Sequence, residues 1–266
     1  MRPGDPETAR AVGDFCRAFL DRVGARVAAV KPQSAFFEAL GWPGLQVLGE
    51  LLSELRRREV PVVLDAKRGD IGSTAAAYAR AYLGEEAPFP ADALTVNPYL
   101  GGDSLAPFVE AAQGSGGGLF VLVRTSNPGA GDLQDLDVSG RPVFERVAEL
   151  LAPAVERLRG QETGWSSLGV VVGANRPEQS RAVRKALPGS LFLVPGYGAQ
   201  GAAAAEAVAG FVPGPDGRLE GGIVNSSRGL MFPKGSASDE ARVWEQAVDD
   251  ALSRATDELA EAVSKR

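Results

Sequence analysis

The segment "LDAKRGDIGST" (64–74) places an acid, a base and a second acid at positions 65, 67 and 70, directly after the apolar run "VPVVL". Charges gathered at the end of a buried element desolvate or pair at a cost, so a structural role alone is a poor reason to keep them. In a strand, Asp65 and Lys67 share one face while Ala66 points to the other. Lys31 closes a second apolar run, "VAAVK" (27–31), and would face the same way. Lys31, Asp65, Lys67 and Asp70 could then alternate in sign, each ammonium kept charged by neighbouring carboxylates. Such an array supplies a positioned general acid and a preformed field. It does so without histidine, of which the chain has none, and that absence removes Ser-His-Asp, Cys-His and His-metal chemistry from consideration. The plainer alternative is an Asp65–Lys67 ion pair that locks the fold, with Arg68 and Asp70 solvated in the following loop.

A second candidate lies in "VPGYGAQGAAAAEAV" (194–208), which reads as strand, glycine-rich turn and helix. Gly196, Gly198 and Gly201 would let backbone N–H groups approach an anion at a helix N-terminus. The next strand ends "IVNSSRG", which sets Arg228 beside them, and Arg grips phosphate through paired hydrogen bonds. Asn97, ending "LTVN", is either a loop hydrogen-bond partner or a substrate contact.

The elements that must hold these residues alternate. A helical pattern through Val12, Phe15, Cys16, Phe19, Leu20 and Val23 precedes the strand at 27–31. Further helices are expected near 44–58, 74–83, 104–113, 141–159, 176–187, 200–209 and 239–263. The strands between them are "VPVVLDAK", "ALTVNP", "GLFVLVRTS", "LGVVVG", "LFLVPG" and "GGIVNSS". Continuously apolar strands are buried on both faces, as in parallel sheets flanked by helices. Seven such strands point to a single α/β domain over 1–266, a (β/α)8 TIM barrel whose first strand is missing from the chain. In such barrels the loops after the strands carry the active site, and those after the last two strands commonly bind phosphate. The long loops at 126–141 and 211–221 are either lids or solvated connections.

Composition narrows the classes further. With 266 residues and 44% hydrophobic content the chain can bury a sizeable core. A net charge of -6 without a basic stripe gives no reason to expect nucleic acid or an anionic membrane. One cysteine, Cys16, excludes an internal disulfide and reads as ordinary core. No signal peptide or apolar spanning segment is evident, so a cytoplasmic location is expected.

Taken in order, "DAKRGDIGSTAAAYA", "VNPYLGGDSLAPF", "TSNPGA", "VVVGA", "VPGYGAQG" and "NSSRG" resemble orotidine 5'-phosphate decarboxylase, in the subgroup with the longer "DAKRGDIG" signature. The similarity runs from about residue 8 to about residue 232. It implies a cofactor-independent, metal-free carboxy-lyase that converts orotidine 5'-phosphate to UMP in pyrimidine synthesis. Lys31, Asp65, Lys67 and Asp70 would then be the catalytic array, with Lys67 protonating C6. The resemblance also implies a homodimer, in which Asp70, Ile71 and Thr74 enter the partner subunit's site. Ser126 would contact the pyrimidine, Gln200 would bridge base and phosphate beside Gly201, and Arg228 would clamp the phosphate. The family opens with a strand ending in Asp-Pro whose aspartate contacts ribose; here "MRPGDPETARAV" has no apolar run before Asp5, so that role is not carried to Asp5. A start at an internal methionine is the expected cause. The competing readings are a Mg-dependent sugar-phosphate decarboxylase or aldolase of the same barrel group, a Schiff-base aldolase using Lys67, and a non-catalytic nucleotide-phosphate binder.

Overall fold

A computed structural model of the chain describes residues 4–198, 201–236 and 240–264. The chain forms two compact units, Met1–Leu119 and Phe120–Arg266.

In the first unit, Asp5 caps the helix Pro6–Val23: its carboxylate accepts from the N–H groups of Glu7 and Thr8 and from the Thr8 hydroxyl. Those bonds hold its carboxyl below the usual range. The helix buries Ala9, Gly13, Leu20 and Val23 and leaves the expected Val12, Phe15, Cys16 and Phe19 half-buried. Gly13 explains the shifted face. A Cβ there would come within 3.0 Å of Val47 Cγ1 on the helix Gly41–Arg57, so the two helices meet at the small residue rather than at the large ones. Burial pushes the Cys16 thiol up, as suits a packing residue.

Two strands of this unit, β1 (Val63–Arg68) and β2 (Ala93–Val96), pair in parallel with Val63 opposite Ala93 and Leu64 opposite Leu94. The helices Gly72–Tyr82 and Gly102–Ser115 follow them, as the sequence pattern requires. The strand expected at 27–31 is reduced to two parallel bridges onto β1 and its approach, Val30 to Val62 and Gln33 to Asp65. Prolines account for the difference. Pro32 has no N–H to donate, and neither does Pro61 on the facing segment, so only Val30, Val63 and Asp65 donate across the gap. A short helix, Ser34–Glu38, follows, which the sequence pattern did not suggest.

Strand β3 (Gly118–Arg124) leads the chain into the second unit. There β4 (Ser166–Val172), β5 (Ser190–Val194) and β8 (Gly222–Val224) pair in parallel, Val170 opposite Phe192 and Leu193 opposite Ile223. The helices Val143–Arg157 and Pro177–Ala186 lie close to the expected ranges, and Ala241–Ser264 ends the described chain. Of the helix expected at 200–209, the described residues, which do not include 200, hold a single turn, Ala204–Ala207, and the Ala202 carbonyl just before it accepts from the Gly198 N–H instead.

Both long loops are anchored. The loop at 211–221 holds an antiparallel pair, β6 (Val212–Pro213) with β7 (Leu219–Glu220). Arg184 ties its ends down by donating to the carbonyls of Gly210, Leu187, Pro188, Ser190 and Gly221. Its guanidinium lies 4.0 Å from the Phe192 ring centre and 5.1 Å from that of Trp165. Burial pulls this guanidinium down to about 10, which leaves it charged at neutral pH. The loop at 126–141 is held by Arg124, fully buried at the end of β3, which donates to Gln134 Oε1 (3.1 Å) and Asp135 Oδ2 (2.8 Å). Among the described residues no helix is long and apolar enough to cross a membrane.

Candidate active site

In the first unit three of the four expected charged residues, Lys31, Asp65 and Lys67, meet around one carboxylate. Asp65, 7% exposed, accepts at Oδ1 from Lys67 Nζ (2.5 Å) and Thr95 Oγ1 (2.9 Å), and at Oδ2 from Lys31 Nζ (2.6 Å) and Gln33 Nε2 (3.1 Å). Burial pushes the Asp65 carboxyl up, but the Lys31 charge and the hydrogen bonds from Lys31 and Lys67 outweigh it, so the group sits below the usual carboxylate range. Two ammonium groups are therefore drawn to the two oxygens of a single anion. The Lys31 side chain is largely enclosed, whereas that of Lys67 is 44% exposed and open to a ligand.

Lys67 does not reach this position by simple strand alternation. Its φ is +46°, a left-handed conformation that an L-residue adopts only when its surroundings impose it. The register of β1 against β2 slips at this point: Leu64 faces Leu94, but Arg68, four residues on, faces Val96, only two residues on. The surplus residues form a bulge, a device that re-aims side chains. Gly69 follows, where a Cβ would approach the Asn97 carbonyl oxygen to 3.0 Å.

Among the described residues, Asp70, Ile71 and Thr74 make no hydrogen bond to Lys31, Asp65 or Lys67. The Asp70 carboxylate caps the Ile71 N–H (2.8 Å), and Ile71 and Thr74 are exposed. Arg68 is not solvated, contrary to the plainer sequence reading. Its guanidinium lies over Tyr78 (5.4 Å) and Tyr82 (5.8 Å) and pairs with Glu38, which joins the helix 34–38 to the helix after β1. Asn97 plays the loop role: its Oδ1 accepts from the Tyr99 N–H at 3.0 Å.

In the second unit Ser126 follows β3, and its carbonyl accepts from Asn175 Nδ2 at 3.1 Å. The glycine of "VVVGA" is needed here, since a Cβ on Gly173 would lie 2.8 Å from Ser126 Cβ. Gly196, Gly198 and Gly201 all have positive φ, which only glycine adopts freely. Residues 199 and 200, between the last two of these glycines, lie outside the described residues. The N–H of Gly198 donates to the Ala202 carbonyl (3.1 Å) and that of Gly201 to the Gly198 carbonyl (2.9 Å), so both of these N–H groups have backbone partners. The single helical turn beyond supplies no macrodipole of consequence. Arg228 is exposed at the start of the short helix Arg228–Met231, and Gln200 lies outside the described residues.

Sequence reasoning missed Gln33 and Thr95. Both left a signal: Gln33 stands two residues past Lys31, and Thr95 is the one polar residue in the strand "ALTV".

A curated orotidine 5'-phosphate decarboxylase of Rhodopirellula baltica is 45% identical over 260 residues, covering 94% of this chain and 84% of that protein. One from Deinococcus radiodurans is 44% identical over 228 residues, covering 86% of this chain and 80% of the relative. The solved structure of Leishmania donovani OMP decarboxylase superposes with a TM-score of 0.75 at 34% identity, covering 97% of this chain and 90% of that one. The α/β barrel class expected from the sequence is thus shared with solved relatives. Residues 5–240 match the family described as Orotidine 5'-phosphate decarboxylase / HUMPS family, and the chain belongs to that family.

Proposed function

We propose that this chain, acting as a single catalytic domain, is an orotidine 5'-phosphate decarboxylase that releases CO2 from orotidine 5'-phosphate and yields UMP. The observation that carries the reading is the convergence of Lys31 and Lys67 on Asp65, with Lys67 turned outward by its left-handed backbone. Breaking the bond between C6 and the carboxylate leaves an electron pair on C6. The Lys67 ammonium stabilises that charge and then transfers its proton to C6. An ammonium about 4 Å from the carbanion contributes about 4 kcal/mol at an effective dielectric near 20. The remainder of the acceleration is assigned to preorganised charge in a water-poor site and to binding energy from the phosphate.

The other roles follow by the same reading. Asp65 orients Lys67 and Lys31 shares the same carboxylate; Ser126 contacts the pyrimidine, Gln200 and Gly201 close over the ligand, and Arg228 grips the phosphate. The exposure of Arg228 is in keeping with a group waiting for an anion. Asp70, Ile71 and Thr74 are assigned to the site of a second copy in a homodimer; the exposure of Ile71 and Thr74, and an Asp70 carboxylate that accepts from the Ile71 N–H rather than from Lys31 or Lys67, support that assignment. A cytoplasmic location fits a nucleotide substrate.

The test is an ultraviolet assay of orotidine 5'-phosphate loss by the purified chain, with EDTA present and no metal added. Turnover to UMP is expected. UMP binding without turnover would favour the non-catalytic reading, and activity abolished by EDTA would favour a metal-dependent sugar-phosphate enzyme.

A further inference from the structure

Thr95 sits in β2 with 1% of its surface exposed, yet its hydroxyl makes two bonds, both to residues of the charged cluster. It accepts the backbone N–H of Lys67 at 2.9 Å and donates to Asp65 Oδ1 at 2.9 Å. The bulge in β1 explains why both are needed. Between the Leu64–Leu94 and Arg68–Val96 pairs the ladder loses register, so the Lys67 N–H has no carbonyl opposite it. A buried N–H without a partner is strongly disfavoured. The Thr95 oxygen takes the place of the missing carbonyl. Because a hydroxyl has a single proton, accepting from Lys67 directs that proton to Asp65.

We infer that Thr95 is a positioning residue for the decarboxylation: its hydroxyl holds the left-handed backbone of Lys67 and the rotamer of Asp65 in register, and so aims the Lys67 ammonium. The inference rests on the reading of Lys67 as proton donor. Valine matches threonine in shape but can neither accept nor donate. In Thr95→Val the Lys67 N–H and one Asp65 acceptor position are left without a partner, and the bulge is free to relax. A displacement of about 1 Å at a reacting group can lower the rate about a hundredfold.

The experiment compares the parent, Thr95→Val and Thr95→Ser by steady-state kinetics well below each melting temperature, and by amide hydrogen exchange at Lys67 in the full chain. Thr95→Val is expected to lose about a hundredfold in kcat with little change in KM, and to lose protection at the Lys67 amide. Thr95→Ser, which keeps the hydroxyl, restores most of both. A parent-like kcat in Thr95→Val would overturn the inference, as would a loss of rate that serine fails to restore. Should Thr95→Val not fold, fast exchange of the Lys67 amide in the folded parent would overturn it equally. A parent that does not turn over orotidine 5'-phosphate would refute the proposed function, while the exchange measurement would still decide whether Thr95 holds Lys67.

Discussion

Replacing Lys67 by alanine separates the catalytic reading from the structural one. If the ammonium stabilises a carbanion about 4 Å away at an effective dielectric near 20, its removal forfeits about 4 kcal/mol, or about a thousandfold in rate. Loss of the proton donor adds about a hundredfold to ten-thousandfold. Together the two effects predict a fall in kcat of about 10⁵ to 10⁷. Folding should change far less. Asp65 keeps Lys31, Gln33 and Thr95 as donors. The Lys67 side chain is 44% exposed, so solvent screening limits its ion pair with Asp65 to about 1 kcal/mol. Alanine tolerates φ of +46° no better and no worse than lysine, so the bulge carries the same strain in both chains. The assay is ultraviolet decay of orotidine 5'-phosphate, read beside urea unfolding of the same preparations. A residual kcat within about tenfold of the parent, with an unchanged unfolding midpoint, would refute the assignment of Lys67 as the reacting acid.

Three further outcomes are expected. Asp65→Asn should lower stability by about 2–4 kcal/mol at pH 7, since it leaves two ammonium groups facing a neutral amide. Because the Asp65 carboxyl is held below its unfolded value, its contribution is present above that value and lost as pH falls through the folded one. The gap between parent and Asp65→Asn in urea unfolding should therefore narrow below about pH 4, and a gap independent of pH would contradict this. Arg228→Ala should reduce kcat/KM about tenfold to a hundredfold, chiefly through KM, as expected for a lost charged contact to phosphate; an unchanged KM would remove Arg228 from the site. Mixing inactive Lys67→Ala and Asp70→Ala chains should restore about a quarter of the parent activity, because hybrid dimers rebuild one intact site. No recovery in a mixture shown to exchange subunits would place Asp70 in its own chain's site or outside any.

Much of the site could be read from the residues because charge at the end of an apolar run is conspicuous. The runs "VPVVLDAK" and "VAAVK" announced Asp65, Lys67 and Lys31, and three-dimensional pairing confirmed that they meet. Their backbone setting was less legible. Strand alternation places Asp65 and Lys67 on one face, but the chain achieves this through a left-handed lysine, and no rule of residue type marks lysine for that conformation. The apolar residues of 27–31 suggest a full strand, and only Pro32 and Pro61, which lack the N–H groups a ladder needs, limit it to isolated bridges. The alanines of 202–209 suggest a longer helix than Ala204–Ala207, because alanine propensity is a weak guide beside the hydrogen bond that ties Ala202 back to Gly198. The two long loops were ambiguous because their anchors lie elsewhere in sequence: Arg124 at the end of one strand, Arg184 on a separate helix.

A carboxylate has room for about four hydrogen-bond donors, and Asp65 has four, two on each oxygen. With its lone pairs fully committed, it has no vacancy with which to take a proton from a substrate, a water or an incoming acid. Where it is ionised, Asp65 is placed as a counter-ion to Lys31 and Lys67, and if Lys67 is the proton donor proposed above, its exposed amine is where solvent can return the proton that each turnover consumes.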